Sequence, residues 1–173
     1  MRLVEERVPR RILEIGVADG GTNALLARAA PTLEHLIGID PRLRWPRVLQ
    51  AMRPRDVRLT LLEGRSQAPD IVRRVADALA GHELDVLFID GDHTYAGAMG
   101  DYDTYRGFVR PGGLIAFHDI VEDSATRGGP PTIAYTGDVP KVWAELAPTA
   151  ARTWEFVRDR AQDGRGIGVL EVT

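Results

Sequence analysis

Five times along this chain, a short apolar run stops at a glycine or an acid and gives way to a different pattern. That punctuation restricts the fold more than any other feature. The runs are RILEIG (11–16), EHLIGID (34–40), VRLTLLEG (57–64), LDVLFID (84–90) and LIAFHDI (114–120). Each is bounded by turn residues and is almost continuously apolar, as expected for a strand buried on both faces. The segments between them, 22–31, 44–52, 69–81 and 96–109, read as helices. In 69–81, Ile71, Val72, Val75, Ala76 and Leu79 recur at helical spacing, with Pro69 at the start and Gly81 at the end. Residues 110–113, RPGG, read as a turn, and 121–139 as a long Gly/Pro-rich loop. A helix is expected over 140–147, with Asp138 as its cap. The last two runs, 153–159 and 166–172, are separated by RAQDGR, too short for a crossover helix, so they should pair antiparallel. The expected class is α/β: a Rossmann-like, doubly wound, mostly parallel seven-stranded sheet. It would end in an antiparallel hairpin and carry helices on both faces.

At 173 residues the chain is expected to form a single domain over 1–173. Its net charge of −3 argues against a nucleic-acid or membrane partner, since binders of polyanions usually carry a basic patch. There is no cysteine, which excludes disulfides, thiolate metal sites and thiol nucleophiles and fits a reducing cytoplasm. No apolar run nears the roughly 20 residues of a membrane span, and residues 1–10 lack the core of a signal peptide.

In sheets of this kind, ligands bind beyond the carboxyl ends of the strands. Every expected strand end here is polar or glycine-rich. The first, LEIGVADGGTN (13–23), places Gly16, Ala18 and Gly21 in a loose form of the dinucleotide-binding turn, with Gly20 beside them. Glu14 and Asp19 would set carboxylates against a pyrophosphate docked there. S-adenosylmethionine carries no phosphate but has a sulfonium and an ammonium, so acids in the turn suit it better. Asp40, at the end of the second strand, can accept both ribose hydroxyls. Ser66, or the backbone near Arg65, is a candidate for the adenine edge.

Asp90, Asp92 and His93 fall within four positions after the fourth strand, and His118 and Asp119 end the fifth. If strands four and five are neighbours, Asp90, His118 and Asp119 lie side by side. Two carboxylates and an imidazole suit a divalent cation, Mg²⁺ first and Mn²⁺ or Fe²⁺ as alternatives. A cation also explains how clustered acids stay ionised. His93 is then placed to act as a general base. His35 and His82 receive no role, Asp101 and Asp103 read as a solvated helix face, and Tyr95, Tyr102 and Tyr105 as packing.

The stretches ILEIGVADGGTN, IGID, VLFIDGDHTYAGAMGDYDTY, VRPGGLIAFHDI, VPKVWAEL and GIGVLEV resemble class I S-adenosylmethionine-dependent methyltransferases. More narrowly, they are similar to the cephalosporin-hydroxylase-like branch, related to macrocin-type sugar O-methyltransferases. The resemblance implies Asp90, His118 and Asp119 as Mg²⁺ ligands and His93 as base, although His118 stands where that family usually has a carboxylate. The family usually carries helices before the first strand. About ten residues stand there here, which implies an acceptor site that is either open or covered by a partner subunit in a homo-oligomer. Loop 121–139 is the local candidate for a lid, lined by Tyr135 and Trp143.

The expected function is thus metal-assisted O-methyl transfer from S-adenosylmethionine to a hydroxylated small molecule, a natural-product sugar or a similar polyol or catechol. The catalytic candidate is His93. The cofactor candidates are Glu14, Gly16, Ala18, Asp19, Gly20, Asp40, Ser66 and Asp90. Three rivals remain. An NAD-dependent oxidoreductase lacks a Tyr-x-x-x-Lys pair, since Lys141 is the only lysine. A non-catalytic S-adenosylmethionine-binding module would bind without turnover. A metal-dependent hydrolase leaves the glycine turn and Asp40 unexplained.

Overall fold

The computed structural model describes the backbone of residues 2–159 and 161–173. Met1 and Arg160, the latter assigned to the last connection, lie outside the described residues. The chain runs α1 (Arg2–Arg7), β1 (Arg11–Ile15), α2 (Gly21–Ala29), β2 (His35–Asp40), α3 (Pro46–Met52), β3 (Arg58–Glu63), α4 (Pro69–Leu79) and β4 (Leu84–Ile89). It continues with α5 (Tyr95–Tyr105), β5 (Val109–His118), α6 (Val139–Leu146), β6 (Thr153–Phe156) and β7 (Ile167–Glu171). One seven-stranded sheet has the order β3-β2-β1-β4-β5-β7-β6. Strands β1 to β5 run parallel to one another, and β7 runs antiparallel to both β5 and β6. This is the Rossmann-like mixed sheet that the alternation of runs predicts.

Two apolar layers cover the sheet. On one face Leu13, Ile37, Leu87, Ile115 and Phe117 pack beneath Ile71, Val75, Tyr105, Val142 and Trp143 of α4, α5 and α6. On the other, Ile12, Leu36, Val86 and Leu114 pack beneath Leu26, Ala27 and Leu49 of α2 and α3. Both faces of the central strands are therefore dry, which explains their unbroken apolar runs.

Three details differ from the sequence reading. Residues 110–113 are not a separate turn. They extend β5 backwards, and a shift of register between Leu84 and Val86 absorbs the extra length as a bulge. A short helix, α1, precedes β1 and packs Leu3 and Val4 on the second core. Asp138 holds the cap position of α6, but its side chain makes no cap bond and pairs instead with Lys141 Nζ at 2.5 Å. No described helix is long and apolar enough to cross a membrane.

Candidate functional site

The tips of β1, β2, β3 and β4 are laced together where they end. Gly16 N–H donates to the Ile39 carbonyl, Gly64 N–H to that of Asp40 and Asp90 N–H to that of Ile15, each at 2.9 Å. Gly16 has a φ of +91°, and a Cβ there would overlap the Asp90 carbonyl oxygen. Only glycine lets these two strand ends approach so closely. The turn that follows is held from β2. Asp40 Oδ2 accepts from Ala18 N–H at 2.8 Å, and Oδ1 from Arg42 N–H at 2.7 Å. Each oxygen keeps lone pairs for a further donor.

These tips border a cleft of about 660 Å³. Gly16, Ala18, Asp40, Ser66 and Asp90, all singled out in the sequence, line it. Gln67, Asp92, Thr94 and Gly97 line it as well, and the sequence reading gave them no cofactor role. For Asp92 and Thr94 a local signal exists: Asp92 Oδ1 accepts from Thr94 N–H, and Thr94 Oγ1 accepts from Gly97 N–H to cap α5.

Three cofactor candidates lie elsewhere. Glu14 belongs to β1 rather than to the turn. Its side chain is fully buried, and Oε2 accepts from Asn23 Nδ2 at 2.7 Å while Oε1 has no partner. Burial, against the opposing bond from Asn23, pushes its pKa up to about 8. It therefore presents no full negative charge to a ligand at neutral pH. Asp19 points outward, 67% exposed and 3.1 Å from Arg44 Nη1. Gly20 packs against Leu49. Asp19 and Gly20 border a shallow apolar groove with Trp45, Val48 and Met52 instead.

Asp101 departs from the expected solvated face most clearly. It is fully buried and accepts from Ser66 Oγ at 2.5 Å and from Gln67 Nε2 at 3.1 Å. Helix α5 turns this acid inward against the loop after β3. Tyr105, on the same face, donates its hydroxyl to the Ser66 carbonyl.

At the far end of the strand tips, Asp90, His93, His118 and Asp119 come together as the adjacency of β4 and β5 predicts. His93 Nε2 lies 3.4 Å from Asp90 Oδ1. His118 Nδ1 lies 3.3 Å from Asp90 Oδ1 and 3.1 Å from Asp119 Oδ1. Asp119 adopts a left-handed backbone, φ +63°, and its N–H donates to the Gly166 carbonyl. The contact with Asp119, then that with Asp90, drives the His118 pKa up to about 10. The bond to Asp90 raises that of His93 against the effect of burial. Burial acts most strongly on Asp90 and would raise its pKa, but the two imidazoles outweigh it and the net shift is downward.

The donor set fits a divalent cation. One ligand atom each from Asp90, His93 and Asp119 lies within 4.8 Å of the others. His118 Nδ1 sits behind them, buried and with no partner at hydrogen-bonding angles despite its proximity to both carboxylates. Within the sequence set, His118 contacts both Asp90 and Asp119, while His93 is the imidazole that completes the three-atom cluster. Carboxylates with imidazole are donors that Mg²⁺, Mn²⁺ and Fe²⁺ accept.

Loop 121–139 reaches the same end of the sheet. His93 Nδ1 donates to the Tyr135 carbonyl at 2.7 Å, Asp138 N–H donates to the His93 carbonyl, and the rings of His93 and Tyr135 stack at 5.6 Å. Donation to a carbonyl places a proton on Nδ1, so in the neutral imidazole the bare nitrogen is Nε2. Trp143, the other expected lid residue, is buried in the core against Phe117.

A family model described as a methyltransferase domain matches residues 13–120. Among curated proteins, uncharacterized protein R132 of Acanthamoeba polyphaga mimivirus is 30% identical over 113 residues, 62% of this chain and 50% of that protein. The chain therefore spans about half the length of that relative. Among solved structures, an O-methyltransferase from Bacillus cereus in complex with S-adenosylhomocysteine superposes with a TM-score of 0.72 at 18% identity, covering 98% of this chain and 77% of that one. The MycE methyltransferase of the mycinamycin biosynthetic pathway, in complex with Mg, S-adenosylhomocysteine and mycinamycin VI, superposes with a TM-score of 0.64 at 16% identity, covering 97% and 47%.

Proposed function

Since the chain belongs to the methyltransferase domain family, we propose that it transfers a methyl group from S-adenosylmethionine to a hydroxyl of a small molecule, aided by a divalent cation. The observation that carries this reading is the shared placement of Gly16, Ala18, Asp40, Ser66 and Asp90 around one cleft, with a carboxylate and imidazole cluster at its end.

S-adenosylmethionine supplies an electrophilic methyl group on a sulfonium. Asp40, already fixed by two backbone N–H groups, would accept the ribose hydroxyls. Ser66 and Gln67 would meet the adenine edge on the opposite wall. Asp90, which lines the cleft just after β4, would favour the positive charge of a sulfonium there.

Asp90 and Asp119 would hold the cation, with His118 Nδ1 as the third donor, and the ion supplies Lewis acidity that lowers the pKa of a nearby hydroxyl. His93 takes the acceptor proton at Nε2, because Nδ1 is committed to the Tyr135 carbonyl. Loop 121–139 positions His93 through that carbonyl and acts as the lid on the acceptor side. The acceptor class is a hydroxylated sugar, polyol or catechol, and the branch is the sugar O-methyltransferase one. The Mg bound by the MycE neighbour supports the metal part of this reading. We place the protein in the cytoplasm, with no nucleic-acid or membrane partner.

Calorimetric titration with S-adenosylhomocysteine, alone and with Mg²⁺, tests the site. Binding should be lost in Asp40→Ala and kept in His93→Ala. With S-adenosylmethionine, Mg²⁺ and a panel of catechols and glycosides, S-adenosylhomocysteine should form with the wild type and not with His93→Ala. No binding of S-adenosylhomocysteine to the wild type would overturn the proposal. Binding without turnover of any hydroxylated acceptor would favour a non-catalytic module.

A further inference from the structure

We propose that Asp101 is a positioning residue that makes the cleft selective for a 6-aminopurine over a 6-oxopurine, by fixing which end of the Gln67 amide is free. The inference rests on the cofactor reading above and concerns a residue that touches no ligand itself.

Gly97, Asp101 and Tyr105 follow one another at four-residue steps along one face of α5, and all three are buried. That face grips the two residues after Arg65. Gln67 Nε2 donates to the Gly97 carbonyl at 2.9 Å and to Asp101 Oδ1 at 3.1 Å. Ser66 Oγ donates to the same Asp101 oxygen, and Tyr105 donates to the Ser66 carbonyl. A Cβ at Gly100 would come within 2.7 Å of both Gln67 Nε2 and Oε1, so the amide lies close against the helix.

An amide nitrogen has two hydrogens, and both are committed here. Turning the amide over would set Oε1 against two acceptors, Gly97 O and Asp101 Oδ1. The network thus fixes the orientation. Gln67 lines the cleft, and the only polar atom it has left to offer is Oε1, an acceptor. The exocyclic group of adenine is a donor, while that of a 6-oxopurine is an acceptor. An acceptor facing an acceptor leaves both unpaired, which is costly in a desolvated site.

Asp101 is an expensive way to fill its position. It is fully buried, and Oδ2 has no partner. An apolar side chain would pack there without that cost, but it would leave the amide held by the Gly97 carbonyl alone.

The test is calorimetric titration with S-adenosylhomocysteine and its 6-oxo analogue, S-inosylhomocysteine. The wild type should favour the amino ligand by about tenfold or more. Asp101→Leu, which leaves the Gly97 carbonyl alone to orient the amide, should lower the ratio severalfold, and Asp101→Asn should restore it, because its Oδ1 can accept the same two bonds. A loss of affinity in Asp101→Leu that is equal for both ligands means a merely structural acid and overturns the inference. Should that variant not fold, side-chain hydrogen exchange in the wild type addresses the same point. Both Gln67 amide hydrogens should stay protected with and without S-adenosylhomocysteine; an amide that gives up this protection when the ligand binds overturns the inference. A wild type that binds neither ligand overturns the cofactor reading and this inference with it. Tight binding of S-adenosylhomocysteine with a ratio indifferent to residue 101 overturns this one alone.

Discussion

Glu14, buried in β1 against Asn23 of α2, ties stability directly to pH. Its folded pKa, about 8, lies above the ordinary value near 4.5. Between those values the folded chain holds a proton that the unfolded chain has released, so stability falls as pH rises through that window. Below about 4.5 both states are protonated and the effect vanishes. Glu14→Gln keeps the carbonyl that Asn23 bonds and removes the ionisation. Denaturant unfolding at pH 8 should find the variant more stable than the wild type by on the order of 2–4 kcal/mol, and the two should converge near pH 4.5. A larger difference at low pH would contradict this account. The glycine spacing that marks the turn is legible in the sequence because few residues tolerate such backbone geometry. The side on which Glu14 falls is not, since strand alternation sends it under α2 while the next acid, Asp19, turns to solvent. Asp101 is hidden from sequence reading for a similar reason. Its burial depends on how α5 rolls against the loop after β3, and α5 has no strong apolar stripe to fix that roll in advance.

Loop 121–139 behaves as an anchored element. Asp123 is nearly inaccessible, and Oδ1 accepts from Thr126 N–H and Oγ1 while Oδ2 accepts from Thr136 N–H. The bonds from Thr126, then that from Thr136, hold its pKa down at about 2. A depressed carboxylate stabilises above its unfolded pKa, and that contribution is lost as pH falls from about 4 towards 2. Protection of the 121–139 amides, taken against the intrinsic exchange rate at each pH, should therefore fall over that window before that of the sheet. Asp123→Asn should remove the dependence and leave the loop faster-exchanging at neutral pH. Unchanged loop protection down to pH 2 would mean that Asp123 does not hold this segment. Composition marks this stretch as irregular; the Asp123–Thr126 turn is local, but the bond that ties Asp123 to Thr136 spans 13 residues and carries no local signal. Likewise, RPGG has the chemistry of a turn, and only its backbone bonds to Val172, far along the chain, carry it into β5.

Across the whole molecule, strand order and the convergence of Asp40, Asp90 and Asp119 on one edge of the sheet follow from patterning that the sequence displays. Continuous apolar runs require two covering layers, and short connections leave few ways to arrange them. A ligand that bridges these strand tips should stabilise the fold as a unit. S-adenosylhomocysteine at a hundred times its dissociation constant should add about 2.7 kcal/mol to unfolding, raising the melting temperature by roughly 5–10 °C in a single transition. Mg²⁺ added to that complex should raise it further, and a chelator should reverse only the second increment. A melting temperature indifferent to S-adenosylhomocysteine would argue that the tips hold no such ligand.

Strand β7 lies inside the sheet, between β5 and β6, although both precede it in the chain. A growing polypeptide that has not yet reached residue 171 must leave the outer edge of β5 without its neighbour, and Asp119 without the Gly166 carbonyl that tethers its backbone. The edge that carries His118 and Asp119 is thus the last region to be assembled during synthesis. An unfinished chain would hold the β1–β4 tips in place while the β5 tip still lacked its support.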